Sequence, residues 1–98
     1  MNRRFAIVEL GCMACLELKK ILPSINIKLK PDKRIRLINN TSMEAFKIKI
    51  DYVQDKLRDK DFTAYPILYI DGALVQGATQ SKYLKIQIEN ILGKEIDN

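Results

Sequence analysis

The chain has no histidine, only two cysteines among its 98 residues, and no long apolar run. Without imidazole there is no Ser-His or Cys-His dyad, no histidine-ligated metal and no haem histidine. Two cysteines cannot build the multi-bridge framework on which small secreted domains depend. No apolar stretch approaches the roughly 18–20 residues needed to span a bilayer. What is present is ordinary globular composition, 47% hydrophobic and 30% charged, which argues against a disordered chain. There is no internal repeat, low-complexity segment or composition break, so residues 1–98 read as a single domain.

Seventeen basic residues stand against twelve acidic ones, a formal charge of +5. They are spread along the chain, with one dense group at Lys28, Lys30, Lys33, Arg34 and Arg36. This reads as a solvated basic surface rather than a nucleic-acid interface. Arg3-Arg4 followed by Phe5-Ala6-Ile7-Val8 resembles the start of a signal peptide, but Glu9 ends the apolar run after four residues. A signal peptide needs about 7–15. Glu9-Leu10-Gly11-Cys12 falls short of a lipoprotein cleavage site because its first position is charged. The expectation is a cytoplasmic protein with its amino terminus intact.

Residues 4–9 are apolar and stop at Gly11, which predicts a buried strand. Met13, Cys15, Leu16, Leu18 and Leu22 recur at helical spacing, and Pro23 is expected to end that helix. Residues 25–29 alternate as an extended lead-in or extra edge strand, and 34–38 read as the second main strand. Thr41 and Glu44 have capping-box spacing. A helix is expected from there to about Arg58, with a core stripe of Met43, Phe46, Ile50, Val53 and Leu57 and a solvated face carrying Lys47, Lys49, Asp51, Asp55 and Lys56. Pro66 opens a strand over 67–70, Asp71-Gly72 signals a hairpin, and residues 73–76 return. Thr79 is expected to cap a last helix with Tyr83, Leu84, Ile88, Ile91 and Leu92 inward, stopped by Gly93. The order is β-α-β-α-β-β-α.

Cys12-Met13-Ala14-Cys15 is the one constellation with reactive potential. Two intervening residues bring both sulfurs to one end of a helix. Bridging so small a ring stabilises a fold by only about 2 kcal/mol in the chain-entropy model, so the spacing suits reversible chemistry better than stapling. At the helix start, free amides and the positive end of the macrodipole favour the Cys12 thiolate as nucleophile. Cys15, one turn in, would be the resolving thiol. Because the thiolate itself attacks, no histidine base is required.

With these motifs the chain resembles the thioredoxin superfamily, and most of all its small glutaredoxin-like members. The resemblance covers nearly the whole sequence. It rests on Cys12-Met13-Ala14-Cys15 after the first strand, Ala64-Tyr65-Pro66 before the third, Asp71-Gly72 in the hairpin and Gly77 after the fourth. It implies an α/β thioredoxin fold, a mixed four-stranded sheet in order 2-1-3-4 with helices on both faces. Pro66 would be a cis-proline facing the cysteine pair, and Tyr65 would contact substrate through its backbone. Gly11 and Met13 would border the same groove. The implied activity is thiol–disulfide exchange on protein disulfides, recharged by a thiol-reducing system such as a reductase or glutathione, by a monomer needing no cofactor beyond the Cys12–Cys15 disulfide. The chain also departs from the family. Met13-Ala14 is neither Gly-Pro nor Pro-Tyr, Gly11 replaces the thioredoxin tryptophan, and Ala6 replaces the buried thioredoxin acid. Residues 76–80 have one glycine and no carboxylate where glutaredoxins hold glutathione.

The alternative of a different class is a metal-binding module, since soft thiolates suit copper(I) or zinc. A four-thiolate zinc site or an iron–sulfur cluster would need a dimer, because one chain supplies only two thiols. Heavy-metal-associated domains usually carry methionine where Leu10 stands, and end in a strand where residues 79–92 read as a helix. A third reading is a basic binding scaffold whose thiols are inert.

Overall fold

The computed structural model describes residues 3–53, 65–76 and 81–96. Strand β1, Arg4–Val8, lies between two partners. It pairs in parallel with β2, Arg36–Asn39, and antiparallel with β3, Ile67–Ile70, and β3 pairs antiparallel with β4, Ala73–Gln76. The result is a mixed four-stranded open sheet in the order 2-1-3-4. Its two central strands are buried at every position, whereas the edge strand β2 buries only Ile38. That explains why β1 and β3 are continuous apolar runs instead of alternating ones. Asp71 and Gly72 both have positive φ, 49° and 99°, the conformation a two-residue hairpin turn demands.

Helix α1, Met13–Asn26, packs against α3, Ser81–Leu92. Cys15, Leu18, Leu22 and Ile25 form the buried stripe of the first; Leu84, Ile88 and Leu92 are buried on the second. The expected stop at Pro23 is overturned. The proline sits inside the helix on its exposed side, where the amide it lacks costs least, and Ile25 prolongs the stripe by another turn. Residues 25–29 are therefore the end of a helix and a turn, not an extended strand. Asn26 takes over the edge role expected of them: its side chain accepts from the Ile35 amide at 2.9 Å and donates to the Ile35 carbonyl at 3.0 Å. The second strand begins two residues later than expected, after a 3₁₀ turn at Pro31–Lys33.

Helix α2 is short, Met43–Ile48, and runs into a π-helical turn, Lys49–Val53. Its cap is Ser42, whose hydroxyl accepts from the Ala45 amide at 3.0 Å; Thr41 instead bonds Asn39, and Glu44 pairs with Arg36 at 2.6 Å. The expected core stripe is also overturned. Met43, Phe46 and Ile50 are exposed, and Ala45, Ile48 and half-buried Tyr52 face inward. Both sets step by three and four, so periodicity alone could not choose between them. The small Ala45 allows close approach but gives little hydrophobic signal. Tyr52 packs on Phe5 and Tyr69, with ring centroids 5.7 Å from each. On α3, Tyr83 is half exposed and not inward as expected, while Gly93, at φ 52°, ends the helix as expected. The readings for residues 54–64 and for Gly77, Ala78, Thr79 and Gln80 lie outside the described residues.

Arg4 is the one charged side chain in the core among the described residues. Its guanidinium donates to Asp71 Oδ2 at 2.7 and 3.0 Å, to Glu95 Oε2 at 2.6 Å and to the Lys33 carbonyl at 2.8 Å. Burial opposes the charge, but the bonds to Glu95 and Asp71 outweigh it and hold the guanidinium ionised. In return, the Arg4 hydrogen bonds hold the Asp71 carboxyl below its usual range. A depressed carboxyl stabilises the fold above its unfolded pKa and loses that contribution as pH falls through the folded value. Asp71→Asn should therefore cost about 1 kcal/mol at pH 7, reduced from buried-pair values because Asp71 is half exposed. Urea unfolding of the two proteins at pH 7 and in acid should show the gap closing as wild-type Asp71 becomes protonated.

Candidate functional site

The antiparallel register sets Ile7 opposite Ile67, so the chain leaving β1 runs beside the chain entering β3. Two segments more than fifty residues apart in sequence, the Cys12 turn and Tyr65-Pro66, thereby share one end of the sheet. Gly11 makes the turn between strand and helix with φ 81°. No atom lies within 4 Å of where its Cβ would be, so glycine serves the backbone conformation there and not a close approach.

Cys12 is the N-cap of α1, with extended backbone angles, and its Sγ accepts from the Cys15 amide at 3.1 Å. A sulfur thus occupies the place usually taken by a serine or aspartate oxygen, at the helix end where backbone amides stabilise negative charge. The same thiol lies 3.6 Å from the Tyr65 carbonyl, toward which it donates. Cys12 is half-buried, Cys15 is buried at 1% exposure, and the two thiols are unbridged. Burial, reinforced by the hydrogen bond with Cys12, pushes the Cys15 thiol up to about 11, against partial relief from the Glu9 backbone.

The Tyr65–Pro66 bond is cis, as the resemblance implies; both residues are buried, and the Tyr65 carbonyl faces the Cys12 thiol. Met13 is 75% exposed and Leu10 98% exposed, so the turn on either side of Cys12 presents apolar side chains to solvent. Of the six residues singled out from sequence, Cys12 and Cys15 are joined by a hydrogen bond, Tyr65 joins them through its carbonyl, Pro66 follows it into β3, and Gly11 and Met13 flank Cys12. Sequence reading missed Lys49, assigned to a solvated face. Its Nζ donates to the Tyr65 hydroxyl at 2.6 Å and lies 5.2 Å from that ring's centroid. Lys49 follows Ala45 by four residues and so lies on the face that is turned inward; taking Met43, Phe46 and Ile50 as the core stripe puts it outward. Glu9, which accepts from Asn40 at 3.4 Å, is a charged neighbour of Cys15.

Among the described residues no group of three or more histidine, cysteine, aspartate or glutamate side chains is placed to hold a metal ion. No described helix is long and apolar enough to cross a membrane. A scan against protein-family models and a search of curated proteins return no match to this chain.

The two thiols differ in exposure and in the charge their surroundings accept, which gives an ordered alkylation. Limiting iodoacetamide at pH 8, followed by peptide mapping, should label Cys12 first. Raising the Cys15 value from 9.0 to about 11 leaves about 100-fold less thiolate than an ordinary cysteine offers. Equal labelling of both would contradict the geometry.

Proposed function

We propose that this chain is a thiol–disulfide oxidoreductase of thioredoxin-like fold, with helices on both faces of its sheet. It would act on protein disulfides in the cytoplasm. The observation that carries the reading is the Cys12 sulfur, half-buried, capping α1 and facing the Tyr65 carbonyl, with a buried, protonated thiol directly behind it. The sheet order and the strand–glycine–helix approach to the cysteines support the same reading. The exposed Leu10 and Met13 favour a polypeptide substrate, whose apolar residues they would cover.

The exchange balances without a cofactor. The Cys12 thiolate attacks one sulfur of a substrate disulfide; the Cys12–substrate bond forms, the substrate disulfide breaks, and the other sulfur leaves as a thiolate. Cys15 gives up its proton, which the departing thiolate can accept, and attacks Cys12. The Cys12–Cys15 bond forms and the second substrate sulfur leaves. Two electrons pass from the dithiol to the substrate; one proton reaches its thiols from Cys15, and the second, equivalent to the one Cys12 released on ionising, comes from water. A small thiol or a dithiol reductase returns the electrons by the same exchange in reverse. The high value at Cys15 suits this order: it stays a thiol until the mixed disulfide brings an electrophilic sulfur beside it. Tyr65 and Pro66 would form the wall along which the substrate backbone lies.

Two measurements test the proposal. Titration of the thiols against a dithiothreitol redox series should give one two-electron transition with a two-dalton mass loss. Cys15→Ser should accumulate a Cys12–substrate mixed disulfide, visible by mass, that wild-type protein clears. Inert thiols, or purification with bound copper, zinc or iron, would overturn the reading.

A further inference from the structure

Tyr65 is held from two sides. Its carbonyl faces the Cys12 thiol, and its ring, 8% exposed as a residue, ends at the ammonium of Lys49. The lysine is brought there by helical spacing, four residues after buried Ala45, whose carbonyl accepts its amide. Helix α2 ends at Ile48 and the backbone widens into a π-helical turn beginning at Lys49 itself. Lys49 shares the inward flank of Ala45, while Phe46 and Ile50 remain exposed. The ammonium makes two kinds of contact with the same tyrosine: a 2.6 Å hydrogen bond to the hydroxyl and an approach to the ring within cation–π range.

Resting on the exchange reading above, we infer that Lys49 is a positioning residue for substrate. By fixing the Tyr65 side chain it sets where the Tyr65 backbone stands against Cys12, and so the register in which a polypeptide lies along that wall. Lys49 does not touch the reacting sulfurs; it acts through Tyr65. Its loss should therefore weaken capture of a polypeptide disulfide and leave the intrinsic reactivity of the Cys12 thiol in place.

The test uses a fluorophore–quencher peptide closed by a disulfide, with dithiothreitol as reductant, on the full chain and its Lys49→Met, Lys49→Arg, Tyr65→Phe and Lys49→Met/Tyr65→Phe variants. Lys49→Met keeps the apolar stem and removes the donor; Lys49→Arg restores one. The expected result is a KM raised about three- to tenfold in Lys49→Met and in Tyr65→Phe, with kcat within twofold. The double variant should be no worse than either single, because both remove one interaction. Lys49→Arg should recover most of the wild-type KM, and iodoacetamide should alkylate Cys12 at the wild-type rate in all four. An unchanged KM in Lys49→Met overturns the inference, as do single effects that multiply in the double variant. A fall in melting temperature and Cys12 alkylation that tracks the KM change also overturns it, because the lysine would then be merely structural. A wild-type protein that cannot reduce the peptide overturns the exchange reading and this inference together, whereas an active wild type indifferent to Lys49 overturns this inference alone.

Discussion

Strand β1 is shared by two partners, and both ends of the molecule follow from that constraint. Because β2 lies on one side and β3 on the other, β1 is buried from its first residue to its last. An apolar run satisfies this everywhere except at Arg4, whose charge in the interior requires compensation by opposite charge and hydrogen bonds. At the other end, the register that pairs β1 with β3 delivers Cys12 to Tyr65. Neither end would exist if the strand lay at the edge of the sheet.

The cysteine pair gains its asymmetry chiefly from position on the helix, which exposes one thiol and buries the other. At the N-cap, Cys12 has no helical turn before it and meets free amides; three residues on, Cys15 is buried in the core. The Cys12 sulfur accepts a backbone amide at the free end of the helix, whereas burial around Cys15 resists charge. Met13 and Ala14 between them make no interaction that this difference depends on. The pair is therefore graded by position on the helix, and the chemistry proposed for it needs no further group to tell the two thiols apart.

Much of this was legible in the sequence, for identifiable reasons. Buried strands are apolar runs, Asp71-Gly72 can hardly be anything but a tight turn, and a cysteine pair after Gly11 marks a helix start. What was not legible involved competition between signals of similar strength. Pro23 is a strong local breaker, yet its cost falls on an exposed face while Ile25 gains a buried site. On α2 the larger apolar set, Met43, Phe46 and Ile50, masked the smaller set that the sheet accommodates, Ala45 and Ile48. These exposed residues border an open groove of about 550 Å³ together with Lys47 and Asp51. Lys49 was hidden by the same choice of stripe: it lies one turn after Ala45, on the face that the larger apolar residues assign to solvent.

The cluster around Arg4 also bears on where the chain tolerates being cut. Four separate stretches meet at one guanidinium: the start of β1, the loop at Lys33, the hairpin tip at Asp71 and the final turn at Glu95. The short 3₁₀ segment Gly93–Glu95 looks like a dispensable tail beyond α3, but it carries a carboxylate that balances a charge in the core. Trimming the protein back to Leu92 would remove the Glu95 carboxylate and, with it, half of the charge that balances Arg4. The amino- and carboxy-terminal segments are thus clasped to each other through a strand at the centre of the sheet. A break opened in this corner would be felt by β1 before any outer element.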